Sequence, residues 1–207
     1  LILELANHVA VHSDAVHKGQ WRDYRKFCFW NTPLFELKGK TLGIIGYGRI
    51  GKETAKIAEA FGMKVIFYSH RDMGAQPHEQ VELDTLFYES DIVSLHCPLN
   101  DQTKGIINRE NLAKMKPTAW VINTARGPSV VDGDLADALN NGVIAGAALD
   151  VCTKEPPEED NPLLTAKNCI ITPHIAWAAK ETRERLIGLA ADNLESYLSG
   201  NPINIAR

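Results

Sequence analysis

Arg126, Glu155 and His174 are the side chains of this sequence best suited to acid–base chemistry on an anionic substrate. An arginine guanidinium can hold a carboxylate through two parallel hydrogen bonds. A histidine paired with a glutamate can move protons near neutral pH, because the carboxylate stabilises the imidazolium and fixes its tautomer. Residue type alone leaves a structural alternative open, in which Arg126 and Glu155 form a salt bridge and His174 caps a turn. A second feature bears on the choice. Gly46-Tyr-Gly-Arg-Ile-Gly51 has the spacing G-x-G-x-x-G and follows an apolar run at 42–45. In such a motif the first glycine (Gly46) turns the chain off a strand and the second (Gly48) lets the backbone approach a pyrophosphate. The third (Gly51) lets helix and strand pack closely, with the helix N-terminus facing the phosphates. Beside a nicotinamide cofactor, the three side chains suggest hydride transfer at a carbon that carries a hydroxyl next to a carboxylate.

These residues need elements to position them. The apolar run, the glycines, a helix-compatible segment at 52–61 and a second apolar run at 64–68 predict a βαβ unit over about 41–69. About twenty positions past the glycines, NAD-binding units place an acidic residue for the ribose hydroxyls. Ser69 stands there, followed by His70 and Arg71. A carboxylate would repel a 2′-phosphate, Ser69 does not, and His70 or Arg71 could bind one. The pattern favours NADP(H) over NAD, with Arg71 as a solvated loop residue stacking on adenine as the alternative. Short helices are expected at 82–90, 108–115 and 132–141, and strands at 91–96, 119–123, 144–149 and 169–172. A long helix at 180–198 ends before Gly200. This alternation predicts an α/β fold, a doubly wound parallel sheet of Rossmann type with helices on both faces. Ser69, Cys97, Arg126, Asp150 and His174 each follow a strand, so an active site is expected at the carboxyl edge of the sheet.

The remaining features mostly exclude. A net charge of −4 over 207 residues argues against a broad nucleic-acid surface. No apolar run approaches the ~18–20 residues that span a membrane. Cys28, Cys97, Cys152 and Cys169 lack metal-binding spacing and read as free thiols of a reducing compartment, the cytoplasm. His8 and His12 have the i, i+4 spacing of helical metal ligands on an expected helix at 2–18. No third ligand is evident, so no metal is expected. The segment 19–37 is dense in aromatics (Trp21, Tyr24, Phe27, Phe29, Trp30, Phe35) and is expected to form a homodimer contact. The chain begins with Leu1 and enters a helix at once, as expected of a fragment that lacks an N-terminal segment.

Several blocks together resemble a known family. Gly46-Tyr-Gly-Arg-Ile-Gly51, His96-Cys-Pro-Leu99, Asn123-Thr-Ala-Arg-Gly127 with Val131-Asp132, Ala148-Leu-Asp-Val151 with Glu155-Pro156, and Thr172-Pro-His174 resemble the signatures of the D-isomer-specific 2-hydroxyacid dehydrogenases. Within that family, the run from Cys152 to Leu163 is most similar to glycerate dehydrogenase/hydroxypyruvate reductase. The resemblance implies an NAD(P)-dependent dehydrogenase acting on a D-2-hydroxy or 2-oxo acid, glycerate/hydroxypyruvate or glyoxylate. It implies that Arg126 holds the substrate carboxylate, that His174 exchanges a proton with the substrate oxygen, and that Glu155 raises the pKa of His174. It implies that Arg49 and Ile50 meet the pyrophosphate, and that Cys97, Pro98 and Thr103 line the adenosine side. Thr124 and Asp150 would face the nicotinamide end, with Ala125, Arg126, His174 and Ala176 also near the cofactor. It further implies that residues 1–180 form the dinucleotide-binding domain. Residues 181–207 would return towards a substrate domain mostly absent from this chain. A dinucleotide-sensing corepressor on the same fold, or an inactive cofactor-binding fragment, are the other readings this sequence allows.

Overall fold

The apolar runs become strands because their side chains are buried on both faces, and only a sheet covered on both sides accommodates them. The computed structural model describes residues 1–205. Its strands, in chain order, are β1 (Thr41–Ile45), β2 (Lys64–Tyr68), β3 (Glu79–Gln80), β4 (Ile92–Leu95), β5 (Trp120–Asn123), β6 (Gly146–Leu149) and β7 (Cys169–Ile171). All pair in parallel, in the order β3-β2-β1-β4-β5-β6-β7. This is the 3-2-1-4-5-6 order of dinucleotide-binding folds with one strand added. The order in which strands are added reverses between β1 and β4, which opens a crevice at their carboxyl ends.

Alternation along each strand separates two apolar layers. Leu42, Ile44, Val65, Phe67, Ile92, Trp120, Ile122 and Ala148 face one side and pack with Leu5 and Ala6 of α1 (Ile2–Asn7) and Ala55 and Ala58 of α4 (Arg49–Ala60). Ile45, Val93, Leu95, Val121, Ala147 and Leu149 face the other side. They meet α5 (Leu83–Glu89) through Leu86 and Phe87, α6 (Arg109–Leu112) through Leu112, and α7 (Asp132–Asn140) through Leu135, Ala136, Ala138 and Leu139. Helices therefore cover both faces, as the alternating sequence predicts. Burying one such Leu or Phe contributes on the order of 1.5–3 kcal/mol.

The expected helix at 2–18 is two helices, α1 and α2 (Val9–His17), broken at His8, which has φ 45° and ψ 46°. The cause is long-range. The Ala6 carbonyl, which a continuous helix would give to residue 10, accepts the N–H of Phe35 at 3.0 Å. The freed Ala10 N–H turns to the Glu4 carboxylate at 3.3 Å. Beyond α2, a short helix α3 (Gln20–Tyr24) leads into an exposed aromatic segment in which Phe27 is 93% and Trp30 67% exposed.

The chain divides into two compact units, Leu1–Thr172 and Pro173–Arg207. The second carries α8 (Lys180–Leu198), none of whose residues is buried. Among the described residues, no helix is long and apolar enough to cross a membrane.

Candidate functional site

The Gly-rich turn is built by contacts that admit no side chain. Gly46 leaves β1 with φ 95°, and a Cβ there would meet the Cys97 nitrogen at 2.7 Å. A Cβ on Gly51 would lie 2.4 Å from the Gly46 carbonyl oxygen. A Cβ on Gly48, by contrast, would meet nothing within 4 Å. Gly48 is the N-cap of α4 and no side chain caps that helix, so its first N–H groups are left for an anion. A cleft of about 350 Å³ opens above this turn. That size and the uncapped helix suit a dinucleotide phosphate.

Gly46, Gly48, Ser69, His70, Arg71, Cys97, Pro98 and Thr103 come together on the cleft wall. Topology explains it, since they follow β1, β2 and β4, the central strands at the crevice. Thr103 is held by its hydroxyl, which donates to the Pro98 carbonyl at 2.7 Å. Arg49 and Ile50 form the first turn of α4 and are absent from the wall; Ile50 is exposed. Gly51 lies buried beneath the turn.

The wall also contains residues that sequence reading missed. Tyr47, between the motif glycines, is buried and stacks on Phe67, with ring centroids 3.9 Å apart and planes 12° apart. Its Oη lies 2.5 Å from His78 Nδ1, and His78 Nε2 lies 3.0 Å from Glu59 Oε1, an ion-pair distance without hydrogen-bond alignment. Burial, reinforced by Glu59, pushes the Tyr47 phenol above its usual range. His96 lines the cleft with its Nε2 2.9 Å from the Ser94 hydroxyl, and burial pushes its pKa down to about 4. It is therefore a neutral group at physiological pH. Burial also raises the Cys97 thiol, which makes it an unreactive wall residue.

A second cluster lies at the ends of β5 and β6, on the same edge of the parallel sheet. Thr124 and Ala125 are half-buried, and the Ala125 N–H donates to Asn123 Oδ1 at 3.0 Å. Asn123 Nδ2 in turn donates to the Arg126 carbonyl at 2.9 Å, which fixes the turn carrying the exposed Arg126 side chain. Asp150 is buried and accepts from the Thr172 hydroxyl at 2.5 Å. Glu155 lies in the loop after β6, and its Oε1 accepts the Cys152 N–H at 3.0 Å. Asp132, at the start of α7, accepts from Thr153 Oγ1 and from Asn161 Nδ2, both at 2.8 Å, and so ties both sides of the Glu155 loop. His174 and Ala176 belong to the second unit. There His174 has φ 54°, and its carbonyl accepts from Trp177 Nε1 at 2.8 Å.

Of the His8–His12 pair, the His12 ring is engaged within the chain. His12 Nδ1 lies 2.8 Å from the His8 carbonyl and its Nε2 accepts the Asn31 N–H at 3.1 Å. All four cysteines are free thiols.

Comparison with known proteins agrees with this architecture. The family model described as "D-isomer specific 2-hydroxyacid dehydrogenase, NAD binding domain" matches residues 1–176. A hydroxypyruvate reductase from Blautia hydrogenotrophica is 53% identical and a glycerate dehydrogenase from Methylorubrum extorquens 42% identical, each over 99% of this chain. The chain spans 65% of the length of each of these relatives. The solved structure of an NADPH-dependent glyoxylate/hydroxypyruvate reductase from Sinorhizobium meliloti superposes with a TM-score of 0.86 at 30% identity, covering 98% of this chain and 64% of that one. The chain belongs to the D-isomer specific 2-hydroxyacid dehydrogenases, and residues 1–176 are their NAD-binding domain.

Proposed function

We propose that this chain is the cofactor-binding part of an NAD(P)-dependent oxidoreductase that interconverts a D-2-hydroxy acid and its 2-oxo acid. Glycerate/hydroxypyruvate or glyoxylate is the substrate that best fits the names of the relatives. The observation that carries the reading is the pairing of the Gly46–Gly51 cleft with Arg126 and Glu155 on one sheet edge. When bound, the nicotinamide supplies or accepts the hydride. The chain's own residues do the rest. Gly48 and the start of α4 receive the pyrophosphate. Arg126 holds the substrate carboxylate and polarises the neighbouring carbonyl. His174 donates a proton to the carbonyl oxygen during reduction and accepts it during oxidation, with Glu155 as the carboxylate paired with it in that role. Thr124, Ala125, Asp150 and Ala176 border the nicotinamide end.

We read the cofactor as NADP(H), although the family model's name specifies NAD. Ser69 puts no carboxylate against a 2′-phosphate, and the exposed His70 and Arg71 beside it suit that charge. Residues 1–180 serve as the dinucleotide domain, and 181–207 return towards a substrate domain. The exposed Phe27 and Trp30 suit a homodimer contact, and the four free thiols suit the cytoplasm. The test is fluorescence titration of the chain with NADPH and with NADH, together with turnover of hydroxypyruvate and glyoxylate by the full-length protein. Tighter NADPH binding and turnover of either acid are expected. Binding without turnover of any 2-oxo acid would overturn the enzymatic reading.

A further inference from the structure

Gln80 has no part in the reading above, yet its side chain organises the loop on which cofactor discrimination depends. It lies on β3, a strand of two residues at the edge of the sheet, in register with Phe67 of β2. From there its amide reaches the loop that follows β2. Nε2 donates to the Ser69 carbonyl at 3.2 Å and to the Arg71 carbonyl at 2.9 Å, and Oε1 accepts the Met73 N–H at 3.0 Å. Two local bonds tighten the same turn: Asp72 Oδ1 accepts the Gly74 N–H, and Gln76 Nε2 donates to the Met73 carbonyl, both at 2.8 Å. Ser69, His70, Arg71 and Met73 all line the cleft.

A loop this exposed would ordinarily give its backbone groups to water and sample many conformations. Three of its groups instead go to one side chain that donates twice and accepts once, a combination only a carboxamide provides. Asn is a methylene shorter, Glu lacks the donors, and Leu lacks all three. The edge strand brings this amide within reach, because its backbone pairing with β2 fixes where Gln80 starts.

We infer that Gln80 is a positioning residue that holds Ser69, His70 and Arg71 at the adenosine-ribose end of the cofactor cleft, and so sets the discrimination between NADPH and NADH. The inference rests on the reading that this loop receives the 2′-end of the cofactor.

The experiment is fluorescence titration of wild type, Gln80→Leu and Gln80→Glu with NADPH and with NADH, with the melting temperature of each protein recorded alongside. Gln80→Leu is expected to weaken NADPH about tenfold, the order expected from losing its backbone bonds, and NADH by no more than about threefold. The ratio of the two dissociation constants then moves towards unity. Gln80→Glu keeps the acceptor for Met73 but turns an acceptor towards two carbonyls and adds a negative charge near the 2′-position, so it should weaken NADPH at least as much. A structural role alone would lower the melting temperature and leave the ratio at its wild-type value, and that result overturns the inference. Should Gln80→Leu fail to fold, Gln80→Asn keeps the amide chemistry and carries the same readout. A wild type that prefers NADH would refute the His70/Arg71 reading by itself. Gln80 would then be judged by whether its substitution still shifts the ratio. Binding of neither nucleotide by wild type would overturn both.

Discussion

Gly127 lies so close to Cys152 that a Cβ on it would stand 1.9 Å from the Cys152 carbonyl oxygen. The turn that carries Arg126 is thus nested against the start of the loop that carries Glu155, with no room between them for a methyl group. The nesting ties together the backbones of the two loops that carry these exposed side chains. Gly127→Ala must push the loops apart, and overpacking of this kind costs about 1–3 kcal/mol or more. We expect a lower denaturation midpoint and loss of 2-oxo acid turnover in the full-length protein, with NADPH binding at the Gly46 cleft close to wild type. A midpoint that does not move would show that the backbone contact is looser than described.

Asp132 guards the same loop from its other side. Its carboxylate accepts from both Thr153 and Asn161. Hydrogen bonds to a charged group contribute about 1.5–3 kcal/mol where they are not fully solvated. Asp132→Ala should free residues 152–161 and reduce turnover by about tenfold or more, while cofactor affinity stays near wild type. Asp132→Asn keeps one acceptor for Thr153 but opposes an amide N–H to Asn161, so an intermediate effect is expected. Steady-state kinetics at saturating cofactor separates these outcomes. Equal turnover in all three proteins would remove Asp132 from loop control.

Burial of His96 predicts a pH effect on stability. Its folded pKa is lowered to about 4 from an unfolded value near 6.5. Between those values the unfolded chain binds a proton that the folded chain does not, so stability falls as pH falls through that window. The shift amounts to roughly 3 kcal/mol lost between pH 7 and pH 4. Urea denaturation across pH 4–7 should show wild type losing stability relative to His96→Gln on acidification, because Gln at this position has no proton to gain. Parallel curves would show that folding does not desolvate the imidazole.

How much of this was legible in the sequence depended on whether the determinant was local. The strands β1, β4, β5 and β6 are predominantly apolar runs, and their burial on both faces left a pattern. Alternation with helices then put Ser69 and Cys97 at one edge of the sheet. β3 carries no such signal: Glu79 and Gln80 form a strand because β2 offers them a ladder. The helix break at His8 is set by Phe35, far along the chain. Tyr47 reads as a variable position of G-x-G-x-x-G, and only its stack on Phe67 and its contact with His78, 31 residues away, show it as a fixed part of the cleft. The role of Gln80 is likewise invisible in a pattern of residue types, because its three bonds run to backbone groups.

Ser69 offers the most direct test of the cofactor reading. It is half-buried just past β2 and lines the cleft. A carboxylate there would accept from ribose hydroxyls and repel a 2′-phosphate. We expect Ser69→Asp to tighten NADH and weaken NADPH, so that their affinity ratio shifts by about tenfold, corresponding to ~1.4 kcal/mol. The variant should fold normally, because the side chain borders open space. An unmoved ratio would mean that His70 and Arg71 discriminate without help from this position.

The roles proposed for His174 and Glu155 separate in kinetics. If His174 exchanges the proton with the substrate oxygen, His174→Ala in the full-length protein should lower kcat by about 10²–10⁴ and leave the cofactor dissociation constant nearly unchanged. Glu155→Gln keeps an oxygen to accept the Cys152 N–H and removes only the charge. In the full-length protein it should lower kcat by less than His174→Ala does and leave the cofactor dissociation constant nearly unchanged. A drop in cofactor affinity that matches the drop in kcat would mean general damage to the site, and turnover equal to wild type would remove Glu155 from the reaction.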